Sequence, residues 1–150
     1  MKPLFVLLVT FFVAFLSQKL LFDQYVLPLS ARIAMCVMLF FTAIGHFAFT
    51  KGMTMMIPDA LPFKKELVYF TGVLEIFLGI GLLISPARIY AAWILLLFFI
   101  IMLPANIYAA IKHIDYQKGT LDGPGPNYLW FRIPLQLFFI AWVYWSSIKY

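Results

Sequence analysis

The chain has 150 residues, of which 65% are hydrophobic and 11% are charged, and its mean hydropathy is +0.98. A soluble domain of this size cannot bury so much apolar surface, so the composition excludes an ordinary water-soluble protein and predicts an all-α, polytopic bundle of transmembrane helices. The net charge of +5 is scattered over several short segments, which argues against nucleic-acid binding, and the single cysteine, Cys36, excludes an internal disulfide or a CxxC redox pair.

Five apolar runs have the length of about 20 residues that a helix needs to cross a bilayer. They cover residues 4–22, 31–50, 67–85, 89–111 and 130–147. The first run follows a lone lysine, as in a signal peptide, but no small-residue cleavage site follows it, so we expect a retained helix. Cleavage would leave a four-helix bundle. The predicted organisation is therefore an N-terminal helix and connector over residues 1–30 and a four-helix membrane domain over residues 31–150.

Two loops indicate how the helices are connected. Residues 51–65 contain two prolines, which oppose a further spanning helix, and several methionines, which suit a segment along the headgroup boundary. Residues 112–129 contain Asp-Gly-Pro-Gly-Pro and should lie outside the membrane. Five crossings place the N-terminus and both loops on one side, called face A, and the turn at residues 85–88 with the C-terminus on the other, called face B. Seven lysines and arginines lie on face A and four on face B, which favours a cytoplasmic face A.

Glu75 lies near the middle of the third apolar run. A carboxylate at this depth costs on the order of several kcal/mol unless it is paired or protonated. Thr71, Gly72 and Gly79 lie four residues before, three before and four after it, so they share its helical stripe. We expect this stripe of small residues to pack against another helix and to keep the carboxyl group away from lipid.

Polar residues on three other runs lie at a similar depth. The rise of about 1.5 Å per residue places His46, Asn106 and Gln136 in the same half of the membrane as Glu75, with Arg132 one turn before Gln136. Buried amides often serve only as hydrogen bonds between helices, and this reading is favoured for Asn106 and Gln136 taken singly. An ionisable pair is costly to keep for packing alone, so a functional role is favoured for Glu75 with His46.

The candidate site therefore has two kinds of residue. Glu75 and His46 are the predicted catalytic pair, which would exchange protons with a ligand. Asn106, Gln136, Arg132 and Thr71 are the predicted ligand-binding residues. The sequence contains no cluster of metal ligands, so no metal is expected. Pro104, two residues before Asn106, indicates either a kink beside the site or routine tolerance of proline in a membrane helix.

An ordered set of motifs over roughly residues 31–147 resembles DoxX-family membrane proteins. The set consists of Gly45-His46-Phe47, Ile57-Pro58, Leu61-Pro62, Thr71-Gly72-Val73-Leu74-Glu75, Gly79, Gly81-Leu82-Leu83, Arg88, Pro104-Ala105-Asn106-Ile107-Tyr108 and Arg132-Ile133-Pro134-Leu135-Gln136. The resemblance implies a four-helix core with an extra N-terminal helix, and a link to membrane redox systems, including quinone-linked oxidation of sulfur compounds. Related redox proteins that use cysteine pairs differ from this chain, which has Cys36 alone. The resemblance also places the turn at Arg88 in the cytoplasm, opposite to the charge count, so the orientation stays open.

Three functions are compatible with these residues. The first is an accessory component of a membrane redox system that binds a quinone or another lipid-soluble molecule, with membrane or peripheral redox proteins as partners. The second is a lipid-modifying enzyme, such as an isomerase that shifts a double bond by proton transfer. The third is a non-catalytic scaffold or assembly factor whose polar layer fixes the helix register. For each, we expect a multi-pass protein of a bacterial inner membrane.

Overall fold

The computed structural model describes residues 2–150, and this range is helical, with an isolated bridge between Asp115 and Thr120 as its only β-type pairing. The α-helices are α1 (Lys2–Phe22), α2 (Leu27–Ala48), α3 (Thr50–Met55), α4 (Lys64–Leu83), α5 (Arg88–Ile111) and α6 (Leu129–Val143). A 3-10 turn at Pro126–Tyr128 precedes α6, and a π-helix at Tyr144–Lys149 follows it.

Four of these helices, α1, α2, α4 and α5, are long and apolar enough to cross a membrane. The predicted all-helical fold is thus confirmed, and it is compatible with a multi-pass membrane protein. The fifth apolar run forms the 15-residue helix α6, which reaches the length of a membrane span only together with the six-residue π-helix.

Proline explains the main error in the predicted helix bounds. Helix α2 begins at Leu27, four residues before the predicted start, because Pro28 lies in its first turn, where an amide hydrogen is not needed. In the following loop, α3 occupies the residues before the two prolines. Helices α5 and α6 continue through Pro104 and Pro134.

The helices pack side by side, and the most extensive contact is between α2 and α4. Helix α2 lies against α1 and α4, and α5 lies against α4 and α6. A Cβ atom at Gly79 of α4 would lie 3.4 Å from Sγ of Cys36 on α2, and one at Gly81 would lie 2.8 Å from Cβ of Ala91 on α5. Small residues therefore let α4 approach both neighbours closely, which confirms that the stripe around Glu75 packs against a helix.

The buried core is formed by α2, α4, α5 and α6, with Leu39, Leu82, Leu95 and Phe139 among its members. Helix α1 contributes little to it, since Leu7 and Gln18 are its buried residues. Its contact with the rest includes an edge-to-face pair of Phe11 and Trp142, whose ring centroids are 5.3 Å apart. The fold thus consists of a four-helix core with α1 attached to its outside, and the outer surfaces of the helices are also largely apolar.

Candidate functional site

Glu75 and His46 face each other across the contact between α4 and α2. Oε2 of Glu75 lies 3.6 Å from Nε2 of His46, and the two residues are 6% and 5% exposed. This separation is longer than a direct hydrogen bond but short enough for a strong electrostatic interaction in a buried setting. The structure therefore brings together the two ionisable residues that the sequence singled out.

The other ring nitrogen of His46 is held by the backbone of α4. Nδ1 lies 3.0 Å from the carbonyl oxygen of Val68 and 3.1 Å from Oγ1 of Thr71. A carbonyl oxygen can only accept, so Nδ1 must carry a hydrogen at this distance. The Thr71 hydroxyl donates its own hydrogen to a carbonyl of its own helix, at Leu67 or Val68, and can accept from Nδ1. The ring orientation and the position of one proton are thereby fixed.

Thr42 also contacts the carboxyl group of Glu75, and it was not among the predicted site residues. Its hydroxyl lies 2.9 Å from Oε2 of Glu75 and 3.0 Å from the carbonyl oxygen of Leu39 in its own helix. Thr42 precedes His46 by four residues, so the two side chains lie on one face of α2. This spacing is the signal that could have identified it.

The geometry determines how many protons the pair can hold. Because Nδ1 carries a hydrogen, Nε2 and Oε2 can share one further proton, either on the imidazole, as an ion pair, or on the carboxyl group, as a neutral pair. Both arrangements have zero total charge. Loss of this proton would leave a buried carboxylate facing a nitrogen lone pair, which is unfavourable in an apolar interior. The pair can therefore hold one mobile proton.

The remaining predicted site residues are not joined to this pair. Gln136 is 3% exposed and donates from Nε2 to the carbonyl oxygen of Phe99 at 3.0 Å, so it connects α6 to α5. Asn106 is buried on α5, and Arg132 is half-buried near the start of α6. Among the side-chain hydrogen bonds of residues 2–150, none links Asn106, Gln136 or Arg132 to Glu75. The contacts of these polar side chains thus form two separate arrangements: the Glu75 and His46 pair, and the Gln136 bond to α5.

Two clefts open at face A, close to the pair but not lined by it. A cleft of about 340 Å³ is bordered by Asp59, Lys64, Tyr108 and Lys112. A second cleft, of about 390 Å³, lies between α3 and the start of α4. The side chain of Asp59 is exposed, and its hydrogen bond to Lys64 at 2.6 Å holds the pKa of its carboxyl group below the usual range. Both clefts are open, and charged side chains lie on their borders: Asp59, Lys64 and Lys112 in the first, and Lys51 and Lys65 in the second.

The described residues contain no group of three or more histidine, cysteine or acidic side chains that could hold a metal ion. Cys36 is buried against Gly79. The chemistry that the described side chains offer at the buried pair is proton transfer and hydrogen bonding.

The family model described as a domain of unknown function (DUF8561) matches residues 35–147. This range includes the buried pair, α2 from residue 35 onward, and all of α4, α5 and α6. No curated protein and no solved structure matches the chain at a significant level.

Proposed function

This chain belongs to the DUF8561 family, whose description assigns no activity. From the geometry of its buried pair, we propose that it binds a lipid-soluble small molecule in the membrane and exchanges a proton with it. The ligand we propose is a quinone, and the protein would act as an accessory component of a membrane redox system. The observation that carries this proposal is the pair itself: Oε2 of Glu75 and Nε2 of His46 lie 3.6 Å apart, and each residue is less than a tenth exposed.

The chemistry of the pair suits an uncharged ligand with a carbonyl or hydroxyl oxygen. A charged ligand would have to lose its hydration shell among the apolar side chains of α2 and α4, whereas a quinone enters such surroundings at little cost. Reduction of a quinone takes up two electrons and two protons. The electrons would come from a partner redox protein. The pair would deliver one proton to one carbonyl oxygen, and water at the membrane surface would supply the proton for the second carbonyl oxygen. A further proton from this water would then return to the pair.

The proposed topology has five crossings, with α6 and its π-helix extension as the fifth, in a bacterial inner membrane. It is supported by the combined length of α6 and the π-helix and by the resemblance to DoxX-family proteins. Single cysteines at Ser85, Gln117 and Tyr150, in a Cys36→Ala background, test it with a membrane-impermeant thiol reagent. Five crossings require that Tyr150→Cys reacts from the same side as Ser85→Cys and from the side opposite to Gln117→Cys.

The ligand is tested by extracting lipids from the full chain purified in mild detergent and identifying them by mass spectrometry. We expect a quinone or another isoprenoid to copurify with the native protein and to be depleted in Glu75→Gln. The matched control is Glu66→Gln, which removes an exposed carboxylate from the first turn of the same helix. Equal recovery from both variants, or no isoprenoid from the native protein, would overturn the proposal.

A scaffold role is the second candidate, and a specific observation favours it. Gln136 joins α6 to α5, Trp142 donates from Nε1 to the carbonyl oxygen of Ala31 at 3.0 Å, and neither cleft is lined by Glu75 or His46. Polar groups that connect helices in this way set the helix register without a ligand. Under this candidate, Glu75→Gln leaves cellular function and partner binding intact, whereas the redox proposal requires that cellular function is lost.

A further inference from the structure

Two arginines lie at the same end of the bundle, face B, at the opposite end of α2 from the buried pair. Arg32 is in the second turn of α2, and Arg88 is the first residue of α5. Both side chains are half-buried, and the packing of Cys36 against Gly79 places the start of α2 beside the end of α4, where the turn into α5 begins. Two like charges that are partly withdrawn from water repel each other, so this arrangement is unfavourable unless an anion lies beside it.

Each acidic side chain of the protein either pairs with another residue or lies at face A. Asp23 is bonded to Lys19, Glu75 faces His46, and the remaining four lie in or next to the loops of face A. Those four are Asp59, Glu66, Asp115 and Asp122. Within residues 2–150, neither arginine of the pair takes part in a salt bridge. The protein therefore supplies no acidic side chain to neutralise them.

One hydrogen-bond donor of the pair also lacks an acceptor. Nε of Arg32 donates to the carbonyl oxygen of Pro28 at 3.1 Å, whereas Nε of Arg88 is buried and has no hydrogen-bond partner among residues 2–150. A buried N–H group of a charged side chain is costly to leave without an acceptor. Among the described residues, Arg88 thus has neither an acidic partner nor an acceptor for Nε.

We infer that Arg32 and Arg88 form a binding site for a phosphate group at face B. A guanidinium group presents parallel N–H donors that match two oxygens of a phosphate, and arginine is the side chain best suited to such recognition. The exposed rings of Tyr90 and Trp93 follow Arg88 along α5, as expected for aromatic residues at the headgroup level. The phosphate can come from a phospholipid headgroup or from a free phosphate compound.

This site is separate from the one proposed above. His46 follows Arg32 by fourteen positions along α2, which at 1.5 Å per residue is about 21 Å. Loss of phosphate binding would therefore leave the recovery of a quinone unchanged, and loss of the quinone would leave phosphate binding unchanged.

The test is a thermal unfolding series on the full chain in detergent micelles, followed by its tryptophan fluorescence. The probes are dioctanoyl phosphatidate, dioctanoylglycerol, which has the same acyl chains without phosphate, and inorganic phosphate. We expect phosphatidate to raise the Tm of the native protein and dioctanoylglycerol to leave it unchanged. A rise with inorganic phosphate as well identifies free phosphate as sufficient, whereas a rise with phosphatidate alone identifies a lipid headgroup.

Variants determine whether the arginines are responsible. Arg32→Gln and Arg88→Gln should each lower the apparent affinity for phosphatidate by at least about tenfold. Lys149→Gln, which removes a basic residue stacked over Tyr150 at the same face, should not. Without ligand, Arg32→Gln should unfold at the same temperature as the native protein or a higher one, because a like charge is removed. An unchanged affinity in the arginine variants, a Tm rise with dioctanoylglycerol, or a lower Tm of ligand-free Arg32→Gln would each contradict the inference.

Discussion

The backbone of Gly72 lies directly against His46, so that a Cβ atom at Gly72 would be 2.8 Å from Cβ of His46. This contact brings the imidazole close to α4, where Nδ1 lies 3.0 Å from the carbonyl oxygen of Val68. The position of the buried pair therefore depends on the absence of a side chain one turn before Glu75.

Replacement of Gly72 by alanine should separate α2 from α4 and move His46 away from Glu75. We expect Gly72→Ala to lower the free energy of unfolding by about 1–3 kcal/mol, the usual cost of overpacking, despite the better helix propensity of alanine. Thermal unfolding in detergent measures this. Gly45→Ala is the control, because a Cβ atom there would meet only Cε of Met53 at 3.4 Å and Cδ2 of Phe49 at 3.8 Å. Equal stability of the two variants would show that the close approach is not needed.

The hydroxyl of Thr42 should stabilise the carboxyl group of Glu75. Thr42→Val keeps the shape of the side chain but removes the hydrogen bond to Oε2, so we expect a loss of about 1–2 kcal/mol in the free energy of unfolding. In the background of Glu75→Gln the same substitution should cost less, because the carboxyl group that accepts the hydrogen bond has been replaced. Thr50→Val is the control, since the hydroxyl of Thr50 bonds to carbonyl oxygens at His46 and Phe47 in the preceding turn. Additive effects of Thr42→Val and Glu75→Gln would argue against the contact.

The amide of Gln136 should connect α6 to α5 without taking part in ligand binding. Gln136→Leu has a similar volume and removes the hydrogen bond to the carbonyl oxygen of Phe99, so we expect a loss of about 1 kcal/mol in the free energy of unfolding. Recovery of copurified isoprenoid should be unchanged. Gln24→Leu, in the exposed connector between α1 and α2, should leave the stability unchanged. Depletion of the isoprenoid in Gln136→Leu would place this residue in the binding site.

The ion pair of Asp59 and Lys64 should make a small, pH-dependent contribution at face A. The hydrogen bond from Lys64 lowers the pKa of Asp59 in the folded protein. A carboxyl group with a lowered folded-state pKa stabilises the fold above its unfolded pKa, and this contribution is lost as the pH falls through the folded pKa. We expect Lys64→Gln to raise the pKa of Asp59 towards its usual value, as measured by NMR titration of the carboxyl carbon. Lys118→Gln, on another loop, should leave the Asp59 titration unchanged.

The sequence predicts the helices better than it predicts the site. Apolar runs of span length can be read directly from the order of the residues, and the four longest helices lie where these runs do. The start of α2 was misplaced because Pro28 breaks a helix interior but not a first turn. The pairing of Glu75 with His46 was also predictable, because a carboxyl group in an apolar bundle must turn towards a partner.

Asn106 and Gln136 show why the rest could not be predicted. The rise per residue gives the depth of a side chain along a helix, but it does not give the direction in which the helix turns that side chain. Gln136 donates to the backbone of α5, at the carbonyl oxygen of Phe99, and has no hydrogen bond to Glu75 among the described residues. Thr42 was overlooked for a different reason: threonine is common in apolar helices, where its hydroxyl is satisfied by a carbonyl of the preceding turn.

All side chains that contact the carboxyl group of Glu75 or the ring of His46 through polar atoms belong to α2 and α4. These two helices are joined by one connection that contains α3. His46, Thr42, Glu75 and Thr71 thus come from a single helical hairpin, residues 27–83. Contacts that are close in sequence form early, so this hairpin can close while α5 and α6 are still being synthesised. A chain truncated after α4 should consequently already bring the imidazole and the carboxyl group together, before the last helices have entered the membrane.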